Sequence, residues 1–105
     1  MSTPGLNPII HAPKRLQICA LLAPLEMAEF QVLRDALGVS DSVLSKQIKK
    51  LEEAGYVKLR KQKRNGRQHT WALLTAKGQK AFKAHVTELE RIVAMASSPP
   101  AAPES

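Results

Sequence analysis

A single cysteine, Cys19, stands in this chain of 105 residues, so no internal disulfide can form. No Cys/His cluster has zinc-site spacing, and His11, His69 and His85 are far apart in sequence, so no metal is expected. The chain also has no Ser/His/Asp set, no carboxylate pair in an evident cleft and no Gly-rich phosphate loop. An enzyme is therefore the least favoured class, and no cofactor is expected. No apolar run approaches the roughly 20 residues of a membrane-spanning helix, and the start lacks a charged segment followed by an apolar core. The expected location is the cytoplasm. Acidic residues are scarce, with 9 Asp+Glu against 16 Lys+Arg and a net charge of +7. That balance favours a polyanionic partner, either nucleic acid or an anionic membrane surface.

The distribution of charge is more informative than its total. Residues 40–70 hold +6 of the +7, so the positive charge is clustered, as on a surface that meets nucleic acid. With 44% apolar residues, the length supports one small domain with one core. The Pro/Gly-containing stretch 1–8 and the Ser/Pro/Ala-rich stretch 97–105 are expected to be a flexible N-terminus and a disordered tail, leaving 9–96 as the domain.

The apolar pattern predicts a first helix over about 9–23, with Pro13 in a first turn and Pro24 beyond its end. It is apolar over much of its circumference, which requires cover from the core, with a second subunit as a further candidate. Phe30, Leu33 and Leu37 predict a second helix over about 26–37, ended by Gly38 as the left-handed residue. Ser40 then offers a hydroxyl cap and Asp41 a favourable charge for a third helix. At about 100° per residue, Leu44, Ile48 and Leu51 fall on one side of that helix and Ser42, Lys46 and Lys49 on the other, flanked by Ser45 and Lys50. Two helices joined through Gly38, the second exposing short polar and basic side chains near its start, fit a helix-turn-helix.

Asn65-Gly66 between extended runs is a strong hairpin signal, because both central residues of a type I′ turn need positive φ. With these two as the loop, Arg64 pairs with Arg67, Leu59 with Ala72 and Val57 with Leu74, the last four facing the core. Trp71 then falls on the opposite face beside Arg60, where the alternatives are a cation–π contact of about 0.5–1 kcal/mol and packing against the core like any large aromatic. Thr75 caps a last helix over about 76–96. Its Phe82, Val86, Leu89, Val93 and Ala96 are spaced 4, 3, 4 and 3, a coiled-coil-like seam that exceeds what a small domain needs for its own core. A homodimer is expected, with Leu16, Cys19, Phe82, Val86, Leu89 and Val93 at the interface and His85 near the seam. For Cys19 the alternatives are a redox switch of the dimer and, favoured by its apolar helix, a small buried hydrophobe.

The strings Pro8-Ile-Ile-His-Ala-Pro-Lys-Arg-Leu, Val39-Ser-Asp-Ser-Val-Leu-Ser-Lys-x-Ile-Lys-x-Leu-Glu-x-Ala-Gly-Tyr-Val and Leu74-Thr75-x-x-Gly78 together resemble the single-domain winged helix-turn-helix transcriptional regulators related to the MarR group. The resemblance runs from Asn7 to about Leu89. It implies a mainly α fold with a small β-hairpin, a long C-terminal dimerisation helix, and a homodimer that binds a pseudo-palindromic operator in double-stranded DNA, usually to repress. It places DNA contacts at Ser42, Ser45, Lys46, Lys49 and Lys50 of the recognition helix and at Lys61, Lys63, Arg64 and Arg67 of the wing. Relatives carry a more Arg/Pro-rich return after the wing than Arg67-Gln68-His69, and full-length relatives have extra helices framing a ligand pocket that this chain lacks, which argues against a small-molecule effector. The alternative from another class is a winged-helix protein-interaction module whose basic face meets an acidic partner.

Overall fold

The computed structural model describes residues 6–97; most of the expected flexible start and nearly all of the expected disordered tail lie outside that range. The chain forms α1 (Pro8–His11), α2 (Pro13–Leu22), β1 (Ala28–Glu29), α3 (Phe30–Leu37), α4 (Asp41–Glu53), β2 (Val57–Arg64), β3 (Arg67–Leu74) and α5 (Ala76–Ser97). The three strands make one antiparallel sheet in the order β1-β3-β2.

Two elements differ from the sequence expectation. The first helix is broken at Ala12, whose backbone (φ −58°, ψ 133°) is extended because the ring of Pro13 excludes the helical conformation from the residue before it. The second helix starts only at Phe30, since Ala28 and Glu29 pair with Ala72 and Trp71 as a third strand. Tertiary pairing overrides the helical preference of Glu26, Met27 and Ala28, and it covers the outer edge of β3.

The remaining boundaries follow local chemistry. Gly38 ends α3 in the left-handed conformation, its N–H bonding to carbonyls of the last turn. Ser40 caps α4 by accepting from the Val43 amide at 3.2 Å. The hairpin has the anticipated register from Val57–Leu74 to Arg64–Arg67, with Asn65 and Gly66 at φ 53° and 78°. Val57, Ala72 and Leu74 are buried, and Trp71 is half-buried on the opposite face. No Arg60–Trp71 cation–π contact forms among the described residues; Lys77 instead sits 5.7 Å from the centre of the Tyr56 ring.

One core holds these elements together, built on Ile10, Ile18, Cys19, Leu22, Leu33, Leu44, Ile48 and Leu51, each at most 1% exposed. Cys19 is therefore inside the protomer, and a second copy cannot touch it. Burial pushes its thiol up to about 11, which makes it a packed hydrophobe and a poor nucleophile. His85 is likewise inside the protomer and not at its surface. Its Nδ1 accepts the Asn7 amide at 2.9 Å, and its ring lies 5.3 Å from that of His11. Asn7 also caps α1 through Oδ1 and donates to the Tyr56 hydroxyl at 2.9 Å, so Asn7 and Pro8 are held in place despite the flexibility expected there.

The wing is tied to the helices where two turns meet. The Thr75 amide donates to the Tyr56 carbonyl at 2.9 Å, and the Thr75 hydroxyl donates to the Gly55 carbonyl at 2.6 Å while accepting from the Gly78 amide. Gly78 is required by this close approach: a Cβ there would overlap the Tyr56 carbonyl oxygen and lie 2.9 Å from its carbon. Gly78→Ala is expected to destabilise the domain by about 1–3 kcal/mol, read from urea denaturation. Unchanged stability would show that the two turns are not in fixed contact.

His85 provides a pH test of the N-terminal attachment. Burial first, and the nearby His11 second, lower its pKa, and an unprotonated Nδ1 is needed to accept the Asn7 amide. Below about pH 6.5 the unfolded chain takes up a proton that folded His85 refuses, so stability falls as pH drops from there towards the lowered folded value. Denaturation midpoints at several pH values should show this loss in the parent and a smaller one in His85→Gln. Equal slopes would contradict it.

Candidate nucleic-acid interface

The geometry of α4 follows from its buried stripe. Leu44, Ile48 and Leu51 are 0%, 1% and 0% exposed, and that single face of the helix is used up in the core. Ser42, Ser45, Lys46, Lys49 and Lys50 are consequently all exposed, so the five recognition-helix candidates share the outward side. Short Ser side chains beside long Lys ones are the combination that lets a helix approach base edges closely with cations in reach of phosphates.

Three side chains that the sequence did not single out steady this helix or the wing. Arg34 from α3 donates to Asp41 at 2.9 Å and to Asp35 at 3.1 Å, clamping the start of α4 to the end of α3. The bonds to Asp41 and Asp35 raise the pKa of the guanidinium above its already high ordinary value, so its charge is permanent. Arg15 from α2 donates to Gln47 of α4 at 2.9 Å and to the Ile9 carbonyl at 2.5 Å, linking α4 to the N-terminal segment. Glu29, at the end of β1, is only 8% exposed and faces Arg64 and His69 of the wing. Opposite charges seven residues apart at Arg34 and Asp41 were a legible signal; Arg15 and Glu29 meet residues too distant in the chain to be read.

The four wing candidates are all exposed, but they do not share one face. Strand alternation and the observed register put Lys61 and Lys63 on the side that continues Val57 and Leu59. Arg64 and Arg67 lie on the side of Trp71. Arg64 reaches back to within 3.6 Å of Glu29 while 59% of its side chain stays exposed. At the base of the wing, Lys49, Glu52 and Glu53 of α4 and Lys58 of β2 line a common groove of about 560 Å³, so the space between helix and ribbon holds charges of both signs.

Of the interface candidates other than Cys19, Leu16, Phe82, Val86 and Leu89 are half-buried. Val93 is 65% exposed, with Ile92 and Met95 also open at 38% and 54%. All seven residues of α5 from Arg91 to Ser97 are exposed, so the helix continues well past the core that its first half covers.

Residues 14–93 match the family model described as the winged helix DNA-binding domain. The chain belongs to this family. It is 40% identical over 81 residues to the uncharacterized protein MJ0432 of Methanocaldococcus jannaschii, covering 77% of this chain and 88% of that one. A transcriptional regulator homologue from Pyrococcus horikoshii OT3 superposes with a TM-score of 0.77 at 28% identity, over 82% of this chain and 85% of the other. The transcriptional regulator BldR of Sulfolobus solfataricus shares the fold, with a TM-score of 0.71 at 19% identity over 85% of this chain and 63% of its own length. The kinship with winged helix-turn-helix regulators of the MarR group is thus borne out, and this winged helix domain is that of a DNA-binding regulator. No helix of the described residues is long and apolar enough to cross a membrane.

Proposed function

We propose that this winged helix protein is a sequence-specific repressor that binds a pseudo-palindromic operator in double-stranded DNA as a homodimer. The observation that carries the reading is the fully outward placement of Ser42, Ser45, Lys46, Lys49 and Lys50 on a helix whose opposite stripe is locked in the core. Ser42, Ser45, Lys46 and Lys49 enter the major groove, and Lys50 with the start of α4 holds phosphates. Lys61, Lys63 and Arg67 follow the backbone, and Arg64 reaches the minor groove.

The exposed apolar end of α5 supports the dimer. Ile92, Val93 and Met95 lie beyond the protomer's own core, and Phe82, Val86 and Leu89 continue the same helix as half-buried neighbours. With Leu16 they form the self-association surface, which presents two recognition helices to successive turns of one duplex. Occupancy of promoter DNA by such a dimer represses by exclusion.

Lys46→Ala is expected to weaken specific binding by roughly 1–3 kcal/mol with less effect on random duplex, as for a base-reading residue. In the same gel-shift series the parent's log K should fall against log salt with a slope near −5, for about six phosphates neutralised. Equal losses on both duplexes would assign Lys46 to the backbone. A slope near zero would reject the DNA reading in favour of a protein partner.

A further inference from the structure

Val43 is the one exposed large hydrophobic side chain of α4, and the recognition surface derived above leaves it out. It is 40% exposed, whereas Val39, one turn earlier, packs on the core. At about 100° per residue Val43 stands roughly 110° from the centre of the stripe of Leu44, Ile48 and Leu51, and Ser45 stands roughly 90° from it on the other flank. Val43 therefore turns at least as far outward as Ser45. One turn further along the helix it is followed by Lys46 and Gln47. Its backbone is fixed in the first turn of α4, where the Val43 amide donates to the Ser40 cap. Residues near the start of a recognition helix are the ones that reach base edges. A β-branched side chain in a helix keeps one strongly preferred rotamer, so Val43 presents its methyl groups in a set direction at little ordering cost. An isolated exposed valine is ordinary elsewhere on a protein surface. This one stands among the side chains that face the bases.

We propose that Val43 is a specificity-determining residue that packs against the C5-methyl group of a thymine in each half-site, beside the bases met by Ser42 and Lys46. This rests on the DNA reading above. Ser hydroxyls and Lys ammonium groups recognise hydrogen-bond donors and acceptors, and every base pair offers some of these in the major groove. Thymine alone adds a methyl group there, which Ser and Lys have no means to read. An aliphatic side chain reads it by shedding the water between two apolar surfaces. Any other base at that place would set Val43 against polar atoms or against a gap. The contact involves no phosphate, so it adds sequence preference and leaves the salt dependence unchanged.

Removal of single methyl groups from the DNA tests this. A duplex selected from a random pool is compared, by fluorescence anisotropy, with copies in which each thymine in turn is replaced by uracil, which pairs as thymine does and lacks only the methyl. The parent should lose about fourfold in affinity at one position of each half-site, the equivalent of one buried methylene group, and nothing comparable at the others. Val43→Ala should bind the thymine duplex more weakly by a similar factor, ignore uracil at that position, and keep the parent's salt slope. On the uracil duplex the two proteins should agree within about twofold. Val43 lies outside the core and Ala is the better helix former, so the variant keeps the fold. A parent that tolerates uracil everywhere, or selected half-sites without thymine, would overturn the proposal and leave the DNA reading standing. A uracil loss that persists in Val43→Ala would assign the methyl to another side chain and overturn it equally. Absence of parent binding to any duplex removes the DNA reading instead.

Discussion

Everything on the outer surface of this domain depends on the burial of one stripe, Leu44, Ile48 and Leu51, in the protomer core. Three fully buried aliphatic side chains contribute several kcal/mol together, at roughly 1.5–3 kcal/mol each, and they fix the rotation of α4 about its own axis. Because the helix cannot turn, the Ser and Lys residues between them have only one direction to face. A basic amphipathic helix without such a stripe would present its cations in many orientations and read nothing. On the proposed DNA reading, the same burial that gives stability would also set specificity.

The second constraint is the junction of Gly55, Tyr56, Thr75 and Gly78, which fastens the base of the wing between α4 and α5. It is built from backbone carbonyls and one hydroxyl, so it has little freedom to shift. The free part of the ribbon, from Lys61 to His69, is held mainly by its own ladder and by the Glu29 contacts. The result is a rigid helix beside an adjustable finger. Such a division suits a surface that must match one groove closely and follow the neighbouring backbone.

Much of this was legible in the amino-acid order because the signals were local. The spacing of Leu44, Ile48 and Leu51, the glycine at 38, the hydroxyls at 40 and 75, and the Asn65-Gly66 pair each act within a few residues, and the elements they specify are found where expected. What was missed is non-local. Ala28 and Glu29 sit among helix-favouring residues and become a strand only because β3 offers them partners. Cys19 lies in a helix apolar over much of its circumference, so periodicity could not say whether the core or a partner covers it, and the core does. His85 has the spacing of a seam residue, yet the N-terminal segment folds over it through Asn7, a partner 78 positions away. Glu29 meets the wing only through the sheet register.

The central claim is that this rigid helix reads a base sequence and that two copies do so together. Selection of bound duplexes from a random pool, followed by footprinting on the selected sequence, tests both halves at once. The account predicts an enriched inverted repeat with half-site centres about 10–10.5 base pairs apart, or a multiple of that, both protected together. A pool that shows no enrichment, or a footprint over one unpaired half-site, would contradict it.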